Sequence, residues 1–250
     1  MISLLLTLAS TQEKTYVEKI PSTTVEFKMA LVPAGPVKIG EKEVVVEPFY
    51  LATTETTWDL FDQYLLSGEP SKPYDQTEFG PDAIARPSRP YILPDLGWGH
   101  AGYPVINVNY TTVEMFLRWL SKTTGKKYRL ATEAEWQRAA SAPMLSTAPV
   151  GNREWYAENA GDMTHPVGKK PANAFGLHDI LGNVGEWCTD LSGKPVLCGG
   201  DFTFAAKDLL PSARRYYSPD WQVTDPQIPK SRWWLSDGFF VGFRIARDAE

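Results

Sequence analysis

The chain is short of positive charge. Its 25 lysines and arginines face 30 acids, for a formal net charge of −5, which argues against nucleic acid as the main partner. It lacks an apolar segment long enough to cross a bilayer, since its one apolar terminal run, residues 1–10, is too short for a membrane span. Internal repeats and low-complexity tracts are absent. Cysteine is nearly so: Cys188 and Cys198 are the only two, which limits the chain to one internal disulfide. They flank the turn signal Ser192-Gly193-Lys194-Pro195, and a hairpin centred on Gly193 would set them opposite one another. A disulfide in an oxidising compartment and a pair of buried thiols remain equal alternatives. Histidine is scarce as well. His100, His165 and His178 lie far apart, so an iron site of two histidines and a carboxylate would need the fold to assemble it.

What is present describes a loop-rich globular protein. The hydrophobic fraction is 43%, with 20 prolines, 19 glycines and 9 tryptophans. This allows a sizeable core, with tryptophans to serve either that core or a ligand surface. Residues 1–10 end in small residues, with Thr7-Leu8-Ala9 before a plausible cut and a polar stretch from Thr11. They resemble a secretory signal without the usual basic start. The expected organisation is a signal peptide at 1–10, an extension at 11–24 and one domain over 25–250, exported to a periplasm or the outside.

Along the chain, residues 25–55 read as short strands broken by proline and glycine. Thr57–Ser67 reads as a helix with Trp58, Phe61 and Leu65 on one face. Residues 68–104 form a proline-rich insertion that carries Trp98 and His100 and discourages regular structure. A second helix is predicted over Thr112–Thr124, with Val113, Phe116, Leu117 and Leu120 inward and Gly125 as its C-cap. Thr132 and Glu135 form a capping box for a third helix. From 145 onward the pattern gives turns and short strands, closing on a buried strand over Phe239–Ile245. The expected class is α+β.

The most informative stretch is 173–187, Asn-Ala-Phe-Gly-Leu-His-Asp-Ile-Leu-Gly-Asn-Val-Gly-Glu-Trp. Three glycines interrupt an apolar run, which marks a shaped turn rather than a helix or strand. Asp179 and Glu186 sit in it with Asn183 between them. Such carboxylates can fold around a hard cation together with backbone carbonyls. Alternatively, Asp179 and Asn183 cap turns and Glu186 is solvated.

This stretch resembles the GLYDMxGNVWEW block of the formylglycine-generating enzyme (sulfatase-modifying factor) family. Four further blocks follow the family's order: Tyr128-Arg-Leu-Ala-Thr-Glu-Ala-Glu-Trp-Gln-Arg-Ala-Ala140, Thr164-His-Pro-Val-Gly168, Cys198-Gly-Gly-Asp-Phe202 and Gly242-Phe-Arg-Ile-Ala246. The resemblance implies a modified C-type-lectin fold with antiparallel strands and metal-braced loops. It implies a calcium site formed by the side chains of Asp179 and Glu186 and the carbonyls of Gly182 and Val184. A second family calcium site needs a longer acidic loop than 159–163 and is expected to be lost. The resemblance also implies a copper centre on two cysteines after the GGS motif. Those positions fall on Phe204 and Leu209 here, neither of which binds a metal, so copper-dependent oxidation of sulfatases is not expected. The related iron-dependent sulfoxide synthases use an HxxxHxE pattern on an extra N-terminal domain that is not seen here. His165 and His178 read as structural. Gly185 replaces the family's usual tryptophan, which is expected to loosen packing beside the loop.

The C-terminal third is rich in aromatics and arginine. Asp201, Phe204, Arg214, Arg215, Tyr216, Trp221, Trp233 and Trp234 are candidates for a surface binding a protein or small-molecule ligand; equally, they build the core. Two functions stay open. One is an exported, calcium-braced binding or accessory module. The other is an oxidoreductase using non-haem iron or copper on the same frame.

Overall fold

A computed structural model describes residues 14–67, 93, 95–147 and 149–249. The expected signal peptide and most of the proline-rich insertion lie outside these residues.

Two four-stranded sheets and a hairpin frame the molecule. The first sheet has the order β1–β2–β5–β10, from β1 (Thr15–Lys19), β2 (Glu26–Val32), β5 (Phe49–Ala52) and β10 (Ala246–Asp248), all antiparallel. Strand β1 lies within the stretch read above as an extension. It pairs with β2 over its whole length, and its Glu18 turns inward to the Tyr128 hydroxyl and Lys126. The hairpin consists of β3 (Gly35–Ile39) and β4 (Lys42–Val46). The second sheet has the order β8–β7–β6–β9, from β6 (Gly185–Thr189), β7 (Pro195–Cys198), β8 (Arg214–Arg215) and β9 (Val241–Gly242), with β9 parallel to β6.

The helices follow local rules. Helix α1 (Trp58–Leu65) buries Trp58, Leu60, Phe61 and Tyr64. Helix α2 (Tyr110–Thr124) starts two residues earlier than the sequence pattern gave, on the extended Asn109, and Thr112 bonds the Trp233 carbonyl from inside the helix. Its predicted stripe is buried, and it ends on Gly125 at φ 74°. Helix α3 (Glu133–Ala140) carries the expected Thr132–Glu135 capping box. A single turn, α4 (Val150–Arg153), completes the set. The core has two parts. Trp58, Phe61, Phe116, Trp234 and Phe243 centre one; Trp136 centres the other, among the β3–β4 hairpin, α3, β6 and β7.

Two expectations are corrected. The closing run is not one strand. Val241–Gly242 pairs with β6, whereas Ala246–Asp248 pairs with β5 in the other sheet. The chain crosses between sheets at Phe243–Ile245, where Arg244 meets the buried Glu186. The cysteines are also not directly opposite but diagonal, with their thiols still in contact. Cys188 lies opposite Val196 and Cys198 opposite Glu186. Asp190 sets this register: its Oδ1 accepts from Ser192 N, Ser192 Oγ and Lys194 N, which centres the turn on Ser192. Both thiols are free and buried.

Gly125 and Gly182 both have positive φ, 74° and 78°. A Cβ on Gly125 would meet nothing, whereas one on Gly182 would collide with the Trp155 carbonyl. Gly125→Ala is therefore expected to cost about 1 kcal/mol of backbone strain, and Gly182→Ala about 1–3 kcal/mol more from forced overpacking. Urea unfolding midpoints check this; equal losses for the two variants would show that Trp155 yields freely.

Candidate functional site

The 173–187 loop is built by side chains that replace missing backbone partners. Asn173 Oδ1 accepts from the amides of Phe175 and Leu177, and its Nδ2 donates to the Ala139 carbonyl at 2.9 Å. Asp179 and Asn183 take left-handed backbone angles, φ 48° and 51°, which short polar residues tolerate better than others. Asn183 is wholly buried. Its Oδ1 accepts from His165 N at 2.9 Å, and its Nδ2 donates to Glu55 Oε1 at 3.0 Å and to the His165 carbonyl at 3.2 Å. A Cβ on Gly185 would sit 3.4 Å from Leu197 Cδ1, an ordinary contact.

Behind the loop lies a buried charge cluster. Glu186 is 1% exposed and Arg244 1%. Arg244 Nη2 and Nε donate to Glu186 Oε1 at 2.7 and 2.9 Å, and Trp136 Nε1 donates to Oε2 at 2.8 Å. The same guanidinium reaches the carbonyls of Ala52, His178 and Asp179. Glu186 is therefore not solvated. Asp179 Oδ2 accepts from Gly168 N at 2.6 Å, but among the described residues its Oδ1 has no hydrogen-bond partner, and neither does Glu55 Oε2. Glu55, Asp179 and Glu186 thus share one arginine. Burial, then the neighbouring Asp179, push the Glu55 carboxyl well above its usual range. Burial likewise raises Asp179. Glu154, 3% exposed, is pushed up to about 8 by burial and then by Asp179. Two unpartnered carboxylate oxygens in an acid-rich, water-poor place can do one of two things: hold protons or accept a cation.

Sequence reasoning found Asp179, Glu186, Gly182 and Val184 but missed Glu55, Glu154 and Arg244 as members of the cluster. Two of these had a visible signal. Glu55 is the single charge within Leu51–Trp58, and Arg244 is the single charge within Phe239–Ile245. Charges inside such short buried runs need partners.

The histidines stand apart. His165 stacks on Trp155 at 3.7 Å and bonds the Ala160 carbonyl, His178 bonds the Lys170 carbonyl, and His100 meets Asp62 of α1. Among the described residues, no three His, Cys, Asp or Glu side chains group as metal ligands. A cation at Asp179 would thus draw on backbone carbonyls too. Phe204 and Leu209 flank Gly200, with side-chain carbons 3.1 and 3.0 Å from where its Cβ would be. Hydrocarbon fills that place.

The eight candidate surface residues do not form one face. Trp221 and Trp234 are core, 6% and 1% exposed. Arg214 is a strut, donating to Glu133 and Gln137 and lying over Trp136. Trp233 lies under Arg232, and Tyr216 is exposed. Asp201, Phe204 and Arg215 do meet. Arg215 pairs with the buried Asp201 at 3.1 Å and spans the rings of Phe204 and Phe240, 4.8 and 4.3 Å from their centroids. No helix among the described residues is long and apolar enough to cross a membrane.

A protein named formylglycine-generating enzyme from Mycobacterium tuberculosis is 37% identical over 107 residues, 36% of this chain and 34% of that protein. A protein named Serine/threonine-protein kinase pkn1 from Chlamydia caviae is 32% identical over 157 residues, 60% of this chain and 24% of that protein. The chain thus spans well under half the length of either curated relative. The solved structure of Treponema denticola variable protein 1 superposes with a TM-score of 0.67 at 22% identity, covering 94% of this chain and 99% of that one. At that identity the likeness is one of fold, and it agrees with the α+β, lectin-like frame described above. Residues 14–249 match the sulfatase-modifying factor enzyme 1-like domain, and the chain belongs to that family.

Proposed function

We propose that this chain is an exported, calcium-braced binding or accessory module that has the sulfatase-modifying frame without its copper-thiolate oxidase. One observation carries the second half. Phe204 and Leu209 occupy the places where the family resemblance implies two thiolates, and both pack against Gly200. Soft copper(I) needs soft ligands, and phenyl and isobutyl groups offer none. The match to 24% of a longer protein with a different name supports a domain that serves alongside other parts. Export rests on the apolar run at residues 1–10.

The bracing half rests on the cluster chemistry. The ligands the resemblance implies, the Asp179 and Glu186 carboxylates and the carbonyls of Gly182 and Val184, are all oxygen, which suits calcium, and Glu186 would have to serve an ion beside its bonds to Arg244 and Trp136. The unpartnered Asp179 Oδ1 and Glu55 Oε2 supply the unmet negative charge that a divalent ion would neutralise. Calcium bound there would hold the 173–187 loop against the Trp155 segment and the end of β5. Binding would leave Arg215, Phe204 and Asp201 on a rigid frame to meet a ligand.

Purified protein incubated with copper and a sulfatase-type cysteine peptide is expected to yield no formylglycine above a metal-free control. Aldehyde detected by mass spectrometry would favour the oxidoreductase reading instead.

Calcium is expected to raise the melting temperature. At a hundredfold excess over its dissociation constant, an ion bound only to the native state adds about 2.7 kcal/mol. Asp179→Ala should melt low and lose the calcium response. Glu55→Gln removes one uncompensated charge, so it should melt higher than wild type in chelator and gain less from calcium. Identical wild-type melting curves in chelator and in millimolar calcium would mean that protons and hydrogen bonds alone hold the cluster.

A further inference from the structure

One half-exposed contact lies outside the acid cluster. His100 has a carboxylate on each ring nitrogen: Nε2 meets Asp62 Oδ2 at 2.7 Å and Nδ1 meets Asp95 Oδ2 at 2.9 Å. Its ring stacks on Trp58, with centroids 5.1 Å apart and planes 18° apart. Asp62 belongs to α1, whereas Asp95 belongs to the strap of residues 95–104 that runs without regular structure over the molecule.

A neutral imidazole carries one N–H. With a carboxylate at hydrogen-bond distance from each nitrogen, the neutral ring would set a lone pair against a carboxylate oxygen. The geometry suits the imidazolium, which donates from both nitrogens.

The strap has two ends with different fastenings. Its far end is tied by backbone amides. Trp58 N donates to the Tyr103 carbonyl at 3.0 Å, Val167 N donates to the Gly102 carbonyl at 2.9 Å, and Gly102 N donates to Asp59 Oδ2 at 2.6 Å. Between the ends, Gly99 and Gly102 take positive φ, 145° and 75°. The near end is a small turn closed on Asp95, which accepts from Gly97 N through its side chain and from Trp98 N through its carbonyl. That turn presents Trp98 edge-on to Phe202 and Phe239, with centroids 5.5 and 6.1 Å away. Phe202 lies directly after Asp201, the partner of Arg215. The near end thus covers an aromatic face beside the Asp201–Arg215 pair, with Leu96 and Trp98 packed against the core, and its ionic link to α1 among the described residues runs through His100.

We propose that His100 is a proton-operated latch: charged, it pins residues 95–100 to α1; neutral, it releases them, and Trp98 lifts from the Phe202–Phe239 face. The charged groups facing the ring among the described residues are Asp62 from α1 and Asp95 from the strap itself. Asp59, one turn before Asp62, is engaged by Gly102 N. Burial lowers the affinity of the ring for its proton, but the two carboxylates outweigh burial and raise it above the ordinary 6.5. The sign follows. The latch's contribution is complete below that ordinary value and is lost as pH rises through the raised one.

The test is hydrogen exchange on the full chain, read by mass spectrometry at half-unit pH steps from 6 to 9.5 and corrected for intrinsic exchange. Protection of the Gly97 and Trp98 amides is expected to fall at least tenfold in one step whose midpoint is that of the His100 imidazole by NMR. The amides of α2 should keep their protection. His100→Gln should leave the 95–100 amides fast at every pH, without a step. Asp95→Asn, which keeps the ring and removes one charge, should lower the imidazole midpoint and move the exchange step with it. A wild-type profile without a step would overturn the latch. So would a step that persists in His100→Gln, one that fails to follow the imidazole midpoint in Asp95→Asn, or a parallel loss in α2.

Discussion

The Glu186–Arg244 pair is the contact on which the rest of the structure depends. Both side chains are removed from water, and together they join β6, the crossing between the two sheets, the end of β5 and the 178–179 loop. Desolvating two charges costs several kcal/mol per ion, and such a pair becomes tolerable only when the remaining donors and acceptors are satisfied. Here they are met by three backbone carbonyls and by Trp136 Nε1. Removing either partner would leave the other charge buried, typically at about 3–5 kcal/mol. The pair also sits where the final run passes from β9 in one sheet to β10 in the other.

The pair leaves a surplus of acid. Glu55 and Asp179 stand next to it with an open oxygen each, and Glu154 lies close enough to feel Asp179. Asn183 partly meets this surplus by donating to Glu55 while holding both ends of the His165 peptide. It can do so only in a left-handed conformation, which puts its side chain and its own carbonyl, the acceptor for Phe202 N, to work in two directions. A glycine-rich loop is thus shaped by three polar residues, Asn173, Asp179 and Asn183, and not by hydrophobic packing alone.

On the outer side the frame carries different chemistry. Hydrocarbon surrounds Gly200. Arg215 bridges two aromatic rings and a buried aspartate, a compact arrangement in which the ring faces stabilise the cation and the cation offsets the cost of burying Asp201. The strap over Trp58, Phe202 and Phe239 adds a cover whose ionic fastening among the described residues is His100. The frame is therefore rigid where acids and arginine lock it, and adjustable where a single imidazole does.

The sequence by itself determined the local elements. The Thr132–Glu135 capping box, the α2 stripe from Val113 to Leu120, the Gly125 cap and the 173–187 turn were all legible, because each depends on residues within a few positions of one another. The five ordered blocks further settled the family and the α+β class. Only the tertiary structure decided which distant groups meet. Arg244 reaches Glu186 across 58 positions and Asn183 reaches Glu55 across 128; no period or spacing encodes such distances. The same holds for the eight aromatic and charged residues of the C-terminal third. Composition made them one surface, while folding sent Trp221 and Trp234 to the core and made Arg214 a strut. Burial depends on which elements close over a side chain, and that is a property of the assembled chain rather than of any segment.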